Sequence, residues 1–351
     1  EFVIQKNLLG SGDAVIRAKK TLAKYAGDIL VICGDTPLIR SGTIKSLIEH
    51  HKNSGASATV LTVKMKDPMG YGRIVRDDNK KVLRIVEDLE ASTYEEAIDE
   101  INVGTYCFKV KDLFDALAGV RPDNKNKEVY LTDVIGILHN KGKRIESVLT
   151  EDAYEAIGIN DRSDLAEAVG ILKNRILRQI MSSGVTIEDP ATTTVYPGSK
   201  IGRDSVIHPN TLIESDVEIG ERCHIGPFAR IRPGVRIGDN VEIGNFVELV
   251  RTRIDNYTKV KHHTYLGDAT VGKNVNIGAG TITANFDGGV KNMTIIESGA
   301  SIGVGAILIA PVKIGKLATV GAGSVVPKGR NVPAGATVVG VPARILKKSK
   351  I

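Results

Sequence analysis

The feature that most constrains this chain is an aliphatic residue at every sixth position in its C-terminal half. Nine of them run from Ile201 to Leu249 without a slip, and the pattern resumes after short phase shifts as far as Val326. A six-residue period is typical of a β-helix, in which each unit forms a short strand and a turn and three units complete one coil. We therefore predict a left-handed parallel β-helix over residues 186–351, with the aliphatic side chains filling one continuous core.

One segment interrupts this period. The stretch TANFDGGVKNM, from Thr283 to Met293, has no repeat phase and is rich in Asn, Asp and Gly. We expect it to leave the prism as a protruding loop, and loops held on a rigid scaffold commonly carry function.

The N-terminal part follows a different pattern. Short apolar runs such as DILVICGD alternate with helical periodicity, as in SGTIKSLIEHHKNSG, which predicts a Rossmann-like α/β domain with a mostly parallel sheet. His50 and His51 are expected on the solvent side of that helix. We divide the chain into an α/β domain over 1–160, a linker helix over 161–185 and the β-helix over 186–351.

Charge and composition narrow the function classes. The formal net charge is +6, from 47 Lys and Arg against 41 Asp and Glu, and no basic stripe is interleaved with aromatic residues. This argues against nucleic-acid binding but suits small anionic ligands such as sugar phosphates. Three widely spaced cysteines support neither a disulfide framework nor a zinc site. Without an apolar run long enough to span a bilayer, we expect a cytoplasmic protein with no membrane insertion.

Several N-terminal motifs could hold a nucleotide and a sugar phosphate. The LGSG turn at residues 9–12 lets the backbone approach a flat ligand. Asp35, in CGDTPLI, follows a buried strand, where its carboxylate could bind Mg²⁺ or simply cap a turn. A further glycine turn, a carboxylate and an amide could bind sugar hydroxyls; they are Gly72, Glu87 and Asn102.

The adjacent pair His262 and His263, in VKHHTYLGDATVG, allows three interpretations: a metal site, a packing detail, or one catalytic base beside a bystander. Neighbouring side chains on a strand point to opposite faces, and no third ligand is near in sequence, which argues against a metal. Val260 and Leu266 fix the inward phase, so one of the two histidines should line an outer groove.

The order of these motifs resembles one family. LGSGDA, CGDTPLI, DPMGYGRIV, IVED, INVGTYCF, VYLTDVI and GIND are followed by hexapeptide repeats and by GPFARIRPG, GNFVEL, HHTYLGDA and NIGAGTITANFDG. Together they are similar to the bifunctional N-acetylglucosamine-1-phosphate uridylyltransferase / glucosamine-1-phosphate N-acetyltransferase. The resemblance covers nearly the whole chain, and it implies an enzyme of UDP-N-acetylglucosamine synthesis, which supplies peptidoglycan in the cell wall.

The resemblance implies that the α/β domain is of the nucleotidyltransferase type, and it implies a site in each domain. In the N-terminal domain it assigns uracil contacts to Gln5, Gly10 and Ser11, Mg²⁺ ligands to Asp35 and Asn160, and sugar-phosphate contacts to Gly72, Glu87, Asn102 and Thr132. In the β-helix it assigns the general base to His262, acceptor contacts to Arg232, Tyr265, Asn276, Asn285 and Lys291, and acetyl-CoA contact to Ala322. UTP and acetyl-CoA are the implied co-substrates, and a histidine can take the proton of the sugar amine near neutral pH.

The chain departs from the family pattern at several points. The family's opening glycine-rich loop, of the type LAAGxGTxM, is not among the 351 residues, so we expect no uridylyl transfer by this chain itself. Val250 stands where the family usually has a phosphate-binding Lys, and strand alternation should direct the neighbouring Arg251 the other way. Phe286 and Val304 replace a usual Tyr and Ser, and the β-helix ahead of GPFAR is shorter than the family norm.

Two functions from different classes fit these observations. The first is a bifunctional enzyme with both sites. The alternative is a sugar-1-phosphate nucleotidyltransferase whose β-helix is an oligomerisation or regulatory platform without acetyltransferase activity. HHTYLGD with Asn276 and Asn285 favours the first, whereas Val250, Phe286 and Val304 favour the second. In either case the flat faces of the prism predict a homotrimer with sites at the subunit interfaces.

Overall fold

In the computed structural model, which describes residues 1–122 and 124–346, the chain forms two compact units, Glu1–Val169 and Gly170–Ile351. The helices are α1 (Ser11–Arg17), α2 (Lys19–Leu22), α3 (Ser41–Ser54), α4 (Thr93–Glu96), α5 (Val110–Leu117), α6 (Asp133–Asn140) and α7 (Arg162–Ser182), with short 3₁₀ turns at Asp88–Glu90 and Ala153–Ala156. Within the described residues, no helix combines the length and the apolar character needed to cross a bilayer.

The first unit is an α/β domain built on one six-stranded sheet. Its strands are β1 (Asp28–Val31), β2 (Ala58–Lys64), β3 (Arg73–Arg76), β4 (Val82–Val86), β5 (Glu100–Lys109) and β6 (Ile145–Thr150). Their order is β4-β3-β5-β2-β6, and β1 also pairs with β5. Strands β3 and β4 form an antiparallel hairpin around the sequence DDNK.

The prediction of a mostly parallel sheet is wrong. β5 runs antiparallel to β1, β2 and β3, and only the pairing of β2 with β6 is parallel. The long strand β5 therefore crosses the middle of the sheet against its neighbours. Near the start of β5, the Asn102 N–H donates to the carbonyl of Gly72, the residue before β3.

The placement of His51 also differs from the prediction. His50 is exposed, but His51 is only 2% exposed, and its Nδ1 lies 2.8 Å from Thr59 Oγ1 on β2. Burial lowers the pKa of this imidazole, which favours the neutral form. His51 is thus a core histidine of α3.

The segment 161–185, predicted as a linker helix, contains α7. The Asp161 carboxylate accepts the backbone N–H groups of Ser163 and Asp164 and so caps the N-terminus of this helix. The two compact units divide within this helix, between Val169 and Gly170.

The second unit is a parallel β-helix of about eight coils. Its first face comprises β7 (Thr186–Ile187), β10 (Val206–Ile207), β13 (His224–Ile225), β16 (Glu242–Asn245), β19 (Lys259–His262), β22 (Asn276–Ile277), β25 (Ser301–Ile302), β28 (Thr319–Val320), β30 (Thr337–Val339) and the antiparallel β31 (Arg344–Ile345). The second face comprises β8 (Thr194–Val195), β11 (Leu212–Ile213), β14 (Arg230–Ile231), β17 (Glu248–Val250), β20 (Tyr265–Gly267), β23 (Ile282–Ala284), β26 (Ile307–Ile309) and β29 (Val325–Val326). The third face comprises β9 (Lys200–Ile201), β12 (Glu218–Ile219), β15 (Arg236–Ile237), β18 (Arg253–Ile254), β21 (Ala269–Val271), β24 (Thr294–Ile296) and β27 (Val312–Ile314).

The predicted core of this prism is confirmed. The aliphatic residues of the six-residue pattern are buried in one cluster, including Ile207, Ile231, Val260 and Leu266 at 0% exposure. The segment that breaks the pattern leaves the prism where predicted. β23 ends at Ala284 and β24 begins at Thr294, with a loop between them.

Candidate active sites

His262 ends β19 at the corner between the first and second faces. Its Nδ1–H donates to Asn245 Oδ1 at 2.8 Å, across one coil. Because the amide oxygen takes the Nδ1 proton, the Nε2 atom keeps a free lone pair. His262 is exposed, so that lone pair can accept a proton from a bound molecule. The imidazole is thereby oriented as a base.

The two neighbouring histidines separate as predicted, although not by strand alternation. β19 ends at His262, and His263 turns the corner with φ of 44°. The His263 ring stacks on Phe246, whose ring in turn stacks on Phe228, with centroids 5.1 Å apart in each pair. Both phenylalanines have φ near 55° at the same corner, a backbone region that bulky residues seldom adopt. His263 therefore belongs to an aromatic ladder.

An open groove extends from His262 along the first face. It is lined by His208, His224, Gly226, Pro227, Glu242, Ile243, Gly244, Asn245, Lys261 and His262. Glu242 binds both Lys259 and Lys261, at 2.9 and 2.5 Å. In the part of the chain that the structure describes, no three His, Cys, Asp or Glu side chains are grouped so that they could hold a metal ion.

A column of small residues continues the His262 corner toward the C-terminal end of the prism. Backbone hydrogen bonds join His262 to Gly280, Ala279 to Gly305 and Val304 to Gly323, so that His262, Ala279, Val304 and Ala322 occupy one position in successive coils. Neighbouring coils are separated by about 4.8 Å, the spacing of paired strands. Beside this column stand three glycines with positive φ, Gly280, Gly305 and Gly323. Apart from His262 and Val304, the residues named in this strip are alanine and glycine.

Tyr265 and Asn285 meet over Gly267 on the second face. A Cβ atom at Gly267 would lie 2.5 Å from the Tyr265 hydroxyl and 2.7 Å from Asn285 Nδ2. Glycine at this position therefore lets the phenol and the amide approach each other. Asn285 is 7% exposed, and it begins the loop that leaves the prism.

Arg251 lies with these residues, contrary to the prediction from strand alternation. β17 ends at Val250, and Arg251 sits at the next corner with φ of 47°. Its guanidinium pairs with Asp268 through Nε to Oδ1 at 2.6 Å and Nη2 to Oδ2 at 2.8 Å. Asp268 Oδ2 also accepts Asn285 Nδ2 at 2.5 Å.

Charges converge on Asp268. The Arg251 guanidinium is the main cause that lowers the pKa of this carboxyl, and Asn285 and the exposed Lys291 lower it further. The pKa of Arg251 is raised chiefly by Asp268, with a smaller contribution from Tyr265. Tyr265, Arg251, Asp268, Asn285 and Lys291 thus form one polar cluster, which we call the corner cluster.

The remaining acceptor residues predicted from the sequence lie outside this cluster. Arg232 Nη1 lies 3.3 Å from Glu248 Oε1. Glu248 is on the second face, one coil before Tyr265. Asn276 begins β22 on the first face and is exposed. Val250 is 4% exposed and offers no polar atom to a ligand.

The loop that bears Lys291 is held by Asp287. The Asp287 carboxylate accepts the N–H groups of Gly289 and Val290, the Asn292 amide and, at 2.9 Å, Lys328 Nζ. These donors place the pKa of Asp287 well below its ordinary value, with the Val290 N–H as the largest cause. The loop is fastened both internally and to Lys328.

In the first unit, the predicted sugar-phosphate residues come together. Thr132 donates its hydroxyl proton to Glu87 Oε1 at 2.6 Å, and a Cβ at Gly72 would lie 3.5 Å from Glu87 Oε2. The Asn102 N–H donates to the Gly72 carbonyl, and the Asn102 amide donates to the Tyr106 hydroxyl at 2.7 Å. Burial raises the pKa of Tyr106, which therefore stays a neutral donor.

The predicted uracil residues adjoin that group. Gln5 Nε2 donates to the Gly10 carbonyl at 3.1 Å. Ser11 Oγ accepts the N–H of Leu131, the residue before Thr132. Gly10 packs so closely on Val129 that a Cβ would lie 2.6 Å from its carbonyl oxygen. These contacts join Gly10 and Ser11 to the segment that leads to Thr132.

Asp35 and Asn160 lie on adjoining loops. The Ile159 N–H donates to the Asp35 carbonyl at 2.8 Å, and both the Asp35 and Asn160 side chains are exposed. Asn160 is anchored by Asp164, which accepts its backbone N–H at 2.8 Å. Mg²⁺ is commonly held by one or two protein oxygens while phosphate oxygens and water complete its shell. One carboxylate and one amide oxygen therefore suit this ion.

Comparison with known proteins decides the family. Residues 1–168 match the nucleotidyl transferase family, residues 216–251 the bacterial transferase hexapeptide family, and residues 293–328 the hexapeptide repeat of succinyl-transferase. The bifunctional protein GlmU of Oceanobacillus iheyensis is 47% identical over 366 residues, which cover 95% of this chain and 80% of the relative. GlmU of Shouchella clausii is 44% identical, over 93% of this chain and 79% of the relative.

The chain belongs to the GlmU family. The resemblance predicted from the sequence motifs is thereby confirmed, as are a transferase of two activities, nucleotidyl and acetyl transfer, and a nucleotidyltransferase domain followed by hexapeptide repeats. GlmU of Geobacillus thermodenitrificans, 44% identical, aligns over all of this chain and 83% of its own length.

Sequence reasoning missed Asn245 and Asp268. It considered Arg251 but directed its side chain away from the site. A coil here contains 17 residues, so positions 17 apart stack on one another. Asn245 precedes His262 by 17, and Arg251, Asp268 and Asn285 follow one another at the same interval. This spacing was the signal that could have found them.

Proposed function

We propose that the β-helix transfers an acetyl group from acetyl-CoA to the amine of glucosamine-1-phosphate, with His262 as the general base. The observation that carries the proposal is the Nδ1–H bond from His262 to Asn245, which leaves Nε2 free to take the amine proton. The amine nitrogen attacks the thioester carbonyl, the carbon–sulfur bond breaks, and the CoA thiolate leaves as the thiol by taking the proton that His262 received from the amine. A neutral imidazole is suited to this step near neutral pH.

The two substrates are proposed to bind on different sides of His262. Tyr265, Asn285, Lys291 and Arg232 offer hydroxyl, amide and cationic groups to the sugar phosphate. The column from Ala279 to Ala322, with its flanking glycines, is proposed as the path of the pantetheine arm, because a thin ligand can lie against a backbone without large side chains. Val304 is the one bulky member of that column.

A homotrimer with sites between protomers is proposed from the same geometry. His262 and Asn276 belong to the first face, whereas Tyr265 lies over Gly267 on the second. A neighbouring prism packed against this corner would place the first-face residues of one protomer beside the second-face residues of the other. Light scattering should then give a mass of about 113 kDa, three times the 37.6 kDa of the chain; a monomeric mass at micromolar concentration would contradict this assembly.

For the first unit, we propose the second reaction of the family, uridylyl transfer from UTP to N-acetylglucosamine-1-phosphate. Glu87, Asn102 and Thr132 would hold the sugar, and Gln5 and Ser11 the uracil. Asp35 and Asn160 would hold Mg²⁺, which neutralises phosphate charge when bound. The reaction further requires a glycine-rich loop of the type LAAGxGTxM to cradle the triphosphate.

We also propose a cytoplasmic location. The three cysteines are free, and free thiols suit a reducing compartment.

One coupled assay tests both reactions. With acetyl-CoA and glucosamine-1-phosphate, we expect this chain to release free thiol and form N-acetylglucosamine-1-phosphate. With UTP and Mg²⁺ added, UDP-N-acetylglucosamine should form when a glycine-rich loop of this type is present ahead of Glu1. Thiol release that is no faster than acetyl-CoA hydrolysis without the acceptor would favour the alternative, a β-helix that serves only as a platform.

A further inference from the structure

Arg251 stands in the corner cluster where an acceptor phosphate needs a cation. The neighbouring Val250 is buried and apolar, and Arg232 is directed to Glu248. The Arg251 guanidinium uses Nε and Nη2 for Asp268, and its side chain is still 43% exposed. A guanidinium held along one edge can present its remaining N–H groups to a phosphate.

Asp268 holds two partners at once. Its two oxygens accept the Arg251 fork, and Oδ2 also accepts Asn285 Nδ2. An amide that donates through its nitrogen to a carboxylate has a fixed orientation, which leaves its oxygen as an acceptor. The Asp268 side chain is only 13% exposed, so the carboxylate at the centre of this arrangement is largely shielded from water.

The backbone keeps the three residues in line. Arg251 and Asp268 both adopt left-handed φ values, 47° and 48°, at the same corner of successive coils, and the Asp268 N–H donates to the Val250 carbonyl at 2.9 Å. Asn285 follows one coil later, where the loop begins. The alignment is therefore fixed by the register of the prism.

From this geometry we propose that Asp268 is a positioning residue of the acceptor site and that Arg251, held by Asp268, contacts the phosphate of the acceptor. Asp268 directs the Arg251 guanidinium toward the phosphate and the Asn285 amide oxygen toward the sugar. This inference rests on the proposed acetyl transfer and adds Arg251 to Arg232 and Lys291 as a further cation for the phosphate, in a chain that has valine at position 250.

The test is the binding of glucosamine-1-phosphate to the full chain, measured by calorimetry, together with steady-state kinetics. We expect Arg251→Gln to weaken binding of glucosamine-1-phosphate at least about tenfold, as for the loss of a charged hydrogen bond, and to leave the binding of unphosphorylated glucosamine within about twofold. Asp268→Asn should raise KM for the sugar phosphate with KM for acetyl-CoA unchanged. Arg251→Lys should recover part of the affinity, because it keeps the charge and loses the fork.

A matched pair on the third face serves as the control. Arg253 and Asp255 form an exposed ion pair with N–O distance 3.4 Å. Arg253→Gln and Asp255→Asn make the same changes of charge in the next strand, and both should leave affinity and KM within about twofold, as expected of surface charges.

Several results would overturn the inference. They are equal affinity of wild type and Arg251→Gln for the sugar phosphate, a lower melting temperature of Asp268→Asn without any change in KM, or an absence of sugar-phosphate binding by the wild type. A different result would separate the two proposals. If the wild type binds the sugar phosphate through Arg251 but releases no thiol, the inference is supported and the proposed acetyl transfer is contradicted.

Discussion

His262→Ala is expected to lower kcat for acetyl transfer by about 10²–10⁴-fold, the usual range for the loss of a general base. The Nε2 lone pair of His262 is the atom proposed to take the amine proton, and alanine offers no substitute for it. Since the side chain is exposed at a corner, its removal should not disturb the core of the prism. We therefore expect KM values and the melting temperature to change little, as measured by thiol release and by thermal unfolding.

His263→Ala is the matched control. It removes an imidazole one residue away. The His263 ring stacks on Phe246, whereas the hydrogen bond to the Asn245 side chain belongs to His262. It should lower kcat by less than about tenfold, as expected when no transition-state proton transfer is lost. Asn245→Ala should fall between the two, because the His262 ring then loses the bond that fixes its proton on Nδ1. Equal losses for both histidine variants would contradict the assignment of His262 as the base.

The second large effect is expected from Gly244→Ala. A Cβ at Gly244 would lie 1.8 Å from the carbonyl oxygen of Lys261 in the next coil, and 2.6 Å from its carbonyl carbon. Both are backbone atoms of the ladder between β16 and β19, so they cannot rotate away. We expect the variant to be less stable by about 3 kcal/mol or more, above the usual range for overpacking, since backbone has to shift. The drop should appear in urea unfolding, with acetyl transfer lost as His262 moves from Asn245.

Gly170→Ala provides the comparison for the same chemical change. Gly170 lies inside α7 with no heavy atom within 4 Å of the Cβ position. Alanine in a helix interior should be neutral or should stabilise the chain by about 0.5–1 kcal/mol. If Gly244→Ala unfolds at the same urea concentration as wild type, the close approach of the two coils is not a constraint on this position.

The prism was the predictable part of the fold, because its rule is local and repeats. Each inward aliphatic residue is identified by its six-residue phase alone, and the break in that phase locates the loop between Ala284 and Thr294. In the first unit, strands and helices were recognisable, but strand direction was not. Whether β5 runs with or against β2 depends on contacts between distant segments, which no apolar run encodes.

The errors at single residues have similar causes. The helical pattern around His50 and His51 could not tell which histidine meets β2, and Thr59 supplied a hydrogen-bond partner that makes burial tolerable. Arg251 was misplaced because alternation assumes an extended backbone, and this residue lies past the strand end at a corner. The candidate base His262 was found through family motifs, whereas its orienting partner Asn245 becomes visible only once the 17-residue coil is known.

The loop at residues 285–293 has a consequence for how such a prism can diversify. Strands on both sides of it keep their register, since β23 pairs with β26 and β24 pairs with both β21 and β27. An excursion at a corner is therefore added without shifting any coil above or below it. Corners are positions where length can vary independently of the core, so the range of acceptors could be altered by exchanging one corner segment on an unchanged scaffold.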